Sequence, residues 1–485
     1  MSEKVPLTPK RRSNFPSQPI KYRIVDHTEY AANKKILNEV FESDMVLTRD
    51  QMLDVIEDFK TRINGTSHRR RRRKAIVGNN LRWINRTIPY EFKDKDNKWQ
   101  ELIRNGIQKW EAETCLRFKT KGLEKDYIEF LKGGGCYSSV GRIGGRQYTS
   151  IGFGCEGVGI VAHELGHAIG FWHEQSRPDR DKYININEDH IYRGTKGNFE
   201  KRKDIEGLKD VPYDFGSIMH YGPQAFTDDY KYTTIETKDH RYQHTIGQRQ
   251  DLSFTDIKQA NLLYCNDICK NQISCQYGGY PNPHDCTKCK CPAGLAGVLC
   301  ESLPISTFGC GGELFATAVW QTLTNTIEGE CFWRINAPTN QRIHFEVLEA
   351  NFECDSSCAE NYLEIKHTDN FQRTGFRQCC NAAPGPIISQ QNQVLVFSRS
   401  SKPSANFTIR YIIDSENLPP PPLAAWRGGG FTSLFGGETG IDNTFETYII
   451  KELPKALKND RPADRKPLDT LQTLISTFLR STRTR

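Results

Sequence analysis

Sixteen cysteines, all lying between Cys115 and Cys380 of a 485-residue chain, constrain this sequence more than any other feature. They fall into three groups: four in 115–265, six in 269–300 and six in 310–380. Even counts in compact groups read as disulfide frameworks made in an oxidising compartment. A zinc-finger reading needs repeated paired-ligand spacing, which these groups lack. The chain is also too long for one ordinary core, so several domains are expected.

The remaining sequence divides along the same lines. Residues 1–74 are polar and free of cysteine, with helix-like apolar spacing at Ile36, Leu37, Val40 and Phe41, and again at Met52, Leu53, Ile56 and Phe59. The basic run Arg69 to Lys74 supplies +6 of a net charge of +7. It is one short block without aromatic residues, so it reads as a protease-accessible linker and not as a nucleic-acid patch. Composition changes at Ala75. An amphipathic helix entering a strand is expected over Trp99 to Phe118, and helices over Gly157 to Gly170 and over Leu252 to Cys265, the last with Ser253 as N-cap and Asp256 at the capping-box position. Six cysteines in 269–300 mark a module too small to hold itself by core burial. Residues 310–412 alternate apolar and polar positions, as in RIHFEVLEA and QVLVFSR, which predicts an antiparallel β-sandwich. From Pro419 the chain turns Pro-rich, Gly-rich and basic and reads as a disordered tail. No apolar run is long enough to span a membrane. The opening MSEKVPLTPKRRSNF has no apolar core and is not a recognisable signal peptide. The cysteines outweigh that absence, which leaves a missing first exon, an alternative start or an unconventional route as the expected explanations.

The chemistry concentrates in HELGHAIGFWH, His163 to His173. His163 and His167 are four apart and share one helical face, so both can hold one ion. Gly170 supplies the break that lets His173 return to them. Glu164 is placed to reach water beside the metal, as a general base. Three neutral protein ligands with an open position describe a catalytic zinc site, not a closed structural one.

HExxHxxGxxH followed by a Met-turn, here SIMHY from Ser217 to Tyr221, is the metzincin signature. HELGHAIGFWHEQSRPDRDKYI together with SIMHY resembles the astacin family of zinc endopeptidases. The resemblance implies an α+β, two-lobed catalytic domain over 75–266 holding one Zn2+, with Tyr221 as an additional, switchable ligand. It implies the disulfides Cys115–Cys265 and Cys136–Cys155. Arg249 matches a position that favours acidic side chains after the scissile bond. The family's prosegment carries F-x-G-D, whose aspartate binds the zinc. Phe41-Glu42-Ser43-Asp44 matches with serine for glycine, which makes Asp44 a ligand of the precursor and 1–74 a propeptide. Cleavage between Lys74 and Ala75 by a basic-site protease would free an amine that the family buries against Glu174.

The spacing C-x5-C-x10-C-x2-C-x-C-x8-C over 267–301 resembles an EGF-like module, implying Cys269–Cys286, Cys275–Cys289 and Cys291–Cys300. Residues 310–413 resemble an all-β CUB domain, implying Cys310–Cys331 and, with Asn361 before Tyr362, no calcium site. The pairing among Cys354, Cys358, Cys379 and Cys380 stays open. The tail 414–485 has no counterpart. Astacin, EGF-like and CUB in this order resemble nematode astacins. The expected protein is a secreted zymogen acting on extracellular protein substrates such as matrix or cuticle proteins, to which the CUB and EGF-like modules could also bind. Sequons at Asn64, Asn85 and Asn406 fit that setting.

Overall fold

A computed structural model describes residues 28–63, 81–83, 85–202, 211–326, 328–380 and 383–414. The basic run, Lys74, Ala75, Asn64 and the tail beyond Asp414 lie outside the described residues.

The N-terminal segment holds a short helix α1 (Glu29–Asn33), a two-residue strand β1 (Met45–Val46) and a longer helix α2 (Arg49–Ile63). The apolar spacing at Ile36–Phe41 predicts a helix there, but 34–40 is a run of turns. The chain must fold back at Glu42 and Ser43, which take φ of 44° and 70°, and a helix cannot continue through that conformation. Where the family motif has glycine, Ser43 takes the left-handed conformation at a cost of about 1 kcal/mol.

The next unit is built on one sheet. Its strands are β2 (Thr87–Phe92), β3 (Arg117–Thr120), β4 (Tyr127–Leu131), β5 (Cys136–Ser139) and β6 (Arg146–Ile151). The order is β1-β5-β6-β4-β2-β3. Neighbours run parallel except β5, which is antiparallel to β6. That leaves β5 as the edge strand of this unit, and β1 of the N-terminal segment covers it in parallel register, Met45 opposite Ser138. The cover removes an exposed edge.

Helix α3 (Asn97–Glu113) is capped by the Asp96 carboxylate, which accepts from the backbone N–H of Lys98 and Trp99. Its buried stripe is Trp99, Ile103, Ile107 and Trp110. Gly106 lets α3 cross α4 (Val158–Ala168) closely, since a Cβ there would meet Val161 at 2.4 Å. Every residue of α4 from Gly159 to Ala168 is buried, as a helix apolar on most faces demands. The rest of this unit is mostly turns, with an antiparallel pair of β7 (Ile184–Ile186) and β8 (Ile235–Thr237), distant in sequence, and closes with α5 (Phe254–Tyr264). Ser253 and Asp256 form the expected capping box on α5. Cys115–Cys265 ties α5 to the end of α3, and Cys136–Cys155 braces β5 against the loop after β6.

A two-stranded ribbon of β9 (Tyr280–Asn282) and β10 (Asp285–Lys290) follows, held by Cys269–Cys286, Cys275–Cys289 and Cys291–Cys300. The C-terminal unit is a sandwich. One sheet holds β11 (Gly312–Phe315), β13 (Gly329–Asn336), β15 (Tyr362–Lys366), β16 (Phe376–Gln378) and β18 (Gln393–Ser400). The other holds β12 (Gln321–Asn325), β14 (Arg342–Asn351), β17 (Gly385–Ile388) and β19 (Asn406–Asp414). Trp333, Phe345, Leu363, Val396 and Ile409 meet between them. The sandwich departs from the purely antiparallel expectation in one place, because β11 runs parallel to β13. Cys310–Cys331, Cys354–Cys380 and Cys358–Cys379 close it, which resolves the pairing the sequence left open.

Candidate metal centre

Three carbonyl and carboxylate partners aim the histidines. His163 Nδ1 donates to the carbonyl of Ile218 at 2.8 Å, and His167 Nδ1 to that of Phe171 at 2.8 Å. Each Nδ1–H so engaged leaves the Nε2 lone pair for a cation. His173 Nδ1 instead faces Glu42 Oε2 of the N-terminal segment at 3.1 Å. Gly170, at φ 109°, ends α4 and turns the chain back so that His173 joins the other two. All three histidines are fully buried.

Asp44 enters their centre. Its Oδ2 lies 3.3 Å from His163 Nε2 and 3.2 Å from His173 Nε2, and its Oδ1 lies 3.3 Å from His167 Nε2. These four ligand atoms fall within 4.8 Å of one another. Burial works against ionising Asp44, yet His173 and His167 hold its carboxyl well below the usual range. Asp44 Oδ1 and His167 Nε2 are buried with no hydrogen-bond partner. Orphaned lone pairs at the centre of a three-imidazole, one-carboxylate set are what a bound cation satisfies, and this donor set suits zinc.

Glu164 follows His163 on α4 and is fully buried, with neither carboxylate oxygen hydrogen-bonded. Burial raises its carboxyl well above the usual range, and the charges of Asp44 and Glu29 raise it further. Met219 lies under the site against Gly166, where a Cβ would meet its sulfur at 2.6 Å. The Met-turn is held from α5: Asp256 accepts from Ser217 Oγ at 2.6 Å and from Ile218 N at 2.9 Å. The sequence reading gave Asp256 only a capping role. Tyr221 packs beside His173, ring centroids 4.5 Å apart, but its hydroxyl donates to the carbonyl of Glu42 at 2.6 Å.

The other predicted residues lie around this centre. Arg249 is buried, and its guanidinium makes a two-pronged bond to Glu29 at 2.7 and 2.8 Å. Glu174 is buried beside Arg177 at 3.3 Å and accepts from Asp214 N at 2.9 Å, and burial pushes its carboxyl up to about 8. Asn85 is exposed, and Asn406 is half-buried at the start of β19. Three residues that shape the site escaped the sequence reading. Glu42 is buried against Arg202, whose guanidinium sits 4.7 Å from the rings of both Phe41 and Trp172. Glu42 falls inside the F-x-G-D match at its variable position, so only its charge could have marked it. Glu29 and Arg202 have no local signal, because their partners are 220 and 160 residues away.

Comparison with known proteins agrees with this centre. Residues 75–265 match the model of the Astacin peptidase family, and residues 323–411 match that of the CUB domain. The chain is 37% identical to zinc metalloproteinase nas-26 of Caenorhabditis elegans over 364 residues, which is 72% of this chain and 87% of that protein. This chain belongs to the astacin family. It is 47% identical over 447 residues to zinc metalloproteinase nas-30 of the same nematode, covering 90% of this chain but only 60% of that relative's length. Among solved structures, high choriolytic enzyme 1, a hatching enzyme zinc-protease of the medaka Oryzias latipes, is 37% identical, with 38% of this chain and 92% of that chain covered and a TM-score of 0.35. The sandwich of 310–414 is thus a CUB domain preceded by the cysteine-rich module, and the centre is an astacin zinc site.

Proposed function

We propose that this astacin is a secreted zinc endopeptidase, made as a latent precursor and acting on extracellular proteins, matrix or cuticle proteins among them. The observation that carries the proposal is Glu164, a buried carboxylate without a hydrogen-bond partner, adjacent to the three-histidine set. A structural zinc site has no use for such a group, whereas a hydrolase needs a base there.

Zinc held by His163, His167 and His173 supplies Lewis acidity, acidifying water and polarising a peptide carbonyl. Glu164 accepts the proton from the attacking water and delivers it to the leaving amine nitrogen. Tyr221 donates its hydroxyl hydrogen bond to the oxygen that becomes negative in the transition state. Arg249 receives an acidic side chain next to the cleaved bond. Residues 1–74 act as the prosegment, with Asp44 holding the water position. Cleavage after Lys74 frees the amine of Ala75, whose positive charge pairs with the buried Glu174. Sixteen paired cysteines support an oxidising, extracellular setting. Among the described residues no helix is long and apolar enough to cross a membrane. The stapled 269–300 ribbon is read as EGF-like, and with the CUB domain it offers surface for substrate or matrix.

Glu164→Ala in the processed chain is expected to lower peptide hydrolysis by on the order of 1,000-fold while zinc content by atomic absorption stays at one per chain. Unchanged turnover with full zinc would sink the base assignment.

A further inference from the structure

Three acidic residues of the N-terminal segment reach the cleft. Asp44 meets the histidines and Glu42 meets Arg202. The third, Glu29, is fully buried against Arg249 and has no part in the metal set. We infer that Glu29 occupies, in the precursor, the subsite that receives the substrate's acidic side chain in the processed enzyme. Latency then has a second lock, which reads the same charge as the substrate. This rests on the endopeptidase reading above.

The position of Arg249 carries the argument. Its Nε and Nη2 face the two oxygens of Glu29 in a fork, while Nη1 donates to the carbonyls of His220 and Gln248, each at 3.0 Å. A guanidinium fixed in this way presents a rigid, planar receptor for one carboxylate. The backbone of Arg249 is pressed onto the metal-bearing helix: a Cβ at Gly159 of α4 would meet the Arg249 carbonyl oxygen at 1.6 Å. Glycine at 159 is therefore what lets the receptor sit beside the metal ligands. The seated carboxylate shows how close they are, with Glu29 Oε1 3.8 Å from His163 Nε2. A peptide with its carbonyl at the metal brings a neighbouring side chain into this receptor.

The segment fills both positions without offering a bond for cleavage. Glu29 and Asp44 are 15 positions apart (44 minus 29), so the carboxylate in the receptor and the carboxylate at the metal belong to distant parts of the chain. Between them Tyr30 packs on Phe226, with centroids 4.9 Å apart. Asn33 clamps Cys136 at the head of β5, its Oδ1 accepting from Cys136 N at 2.7 Å. The side chain of Asp44, and not a backbone carbonyl, is what the segment presents to the histidines.

The test uses the full chain before and after processing, with two fluorogenic peptides that differ only in Glu or Gln after the cleaved bond. The Glu29→Gln precursor is expected to hydrolyse the Glu peptide at least ~10-fold faster than the wild-type precursor. Once processed, wild type and Glu29→Gln are expected to be indistinguishable, because the segment is gone. Processed wild type is expected to prefer the Glu peptide by at least ~10-fold, and Arg249→Gln to lose that preference. Full latency of Glu29→Gln, or no Glu preference in the processed enzyme, would overturn the inference. Should Glu29→Gln misfold, the exchange Glu29→Arg with Arg249→Glu takes its place: retained latency with preference turned to a Lys peptide supports the inference, and a leaking precursor or unchanged preference overturns it. Processed, zinc-loaded wild type that cuts neither peptide nor any protein substrate would instead remove the endopeptidase reading itself.

Discussion

The N-terminal segment and the CUB domain both pack against the catalytic unit, and they do so with different chemistry. The segment brings three buried carboxylates, Glu29, Glu42 and Asp44, each to a cationic or metal-binding partner. The CUB domain brings an apolar surface: Phe376, Ile365 and Leu363 share one buried cluster with Tyr213, Phe215 and Tyr242 of the catalytic unit. It adds polar contacts at this junction: Thr374 N–H and hydroxyl donate to Asp214 at 3.0 and 3.2 Å, Arg377 N to Thr245 at 3.0 Å and Arg373 to the Tyr183 hydroxyl at 3.2 Å. Buried ion pairs are directional and fail when one partner is removed, because the other is left uncompensated. Apolar contacts tolerate local change and persist. The N-terminal segment thus adds three buried charges to its apolar cover of Met45 and Leu47, whereas the buried part of the CUB contact is mainly an apolar cluster.

The largest expected effect breaks the charged contact at its centre. Asp44→Ala in the intact chain removes the carboxylate from the histidines, at about 3 kcal/mol of docking. That corresponds to on the order of 100-fold more peptide hydrolysis by the precursor. Arg373→Ala, at the CUB contact with Tyr183, is expected to leave latency unchanged. Equal leakage from both variants would erase the distinction between the two contacts.

Acid sharpens the comparison. His367 of the CUB domain is buried between Phe345 and Phe376. Burial, reinforced by Arg241 and opposed by Asp239, holds its imidazole down to about 3. A histidine that titrates lower folded than unfolded contributes stability above pH 6.5 and loses it as pH falls from there. At pH 5 the loss is about 2 kcal/mol. The three carboxylates of the N-terminal segment are lowered as well, but from an ordinary range that lies below that window. Burial opposes their ionisation, but their cationic neighbours lower all three, so their contribution is complete above the ordinary carboxylate range. It is lost only as pH falls below about 4. Between pH 6.5 and pH 5, therefore, the CUB domain is expected to melt earlier while the precursor stays latent. Calorimetry and peptide hydrolysis on the same samples check this, and His367→Phe is expected to abolish the shift in melting. Activity rising in step with the loss of CUB stability would refute it.

The same contrast explains what the sequence could show. The histidines, Glu164, the turn at Gly170 and the capping box on α5 sit within a few residues of one another, and local geometry links them. Alternation along RIHFEVLEA and QVLVFSR marked the sandwich because side chains in a strand point to alternate faces. The pairing among Cys354, Cys358, Cys379 and Cys380 depends on how β-strands far apart in sequence come together, which spacing does not encode. Glu29 with Arg249, and Asp214 with Thr374, are contacts across 220 and 160 residues and carry no local pattern. The spacing at Ile36 to Phe41 misled for a related reason. Ile36 and Val40 are buried and Leu37 and Phe41 half-buried around a turn, so burial produced a helix-like pattern without a helix.

The smallest expected effect lies where the CUB contact borrows a charge. Asp214 is fully buried and receives hydrogen bonds from Thr255 Oγ1 at 2.6 Å, Gly216 N at 3.1 Å and Thr374. Its own N–H donates to Glu174 at 2.9 Å, next to the third metal ligand. Gly216 allows this approach, because a Cβ there would meet Thr374 at 2.4 Å. Thr374→Val keeps the shape and the backbone donor but removes one hydroxyl from a buried carboxylate, at about 1–2 kcal/mol. For units of this size that lowers the melting temperature by roughly 3–6 °C. Thr374→Ser keeps the hydroxyl and is expected to recover most of the loss. Equal melting of the valine and serine variants would mean that the methyl group, and thus apolar packing alone, holds this junction. A loss of processed activity in the valine variant beyond its loss of stability would mean instead that the CUB domain positions Glu174 through Asp214.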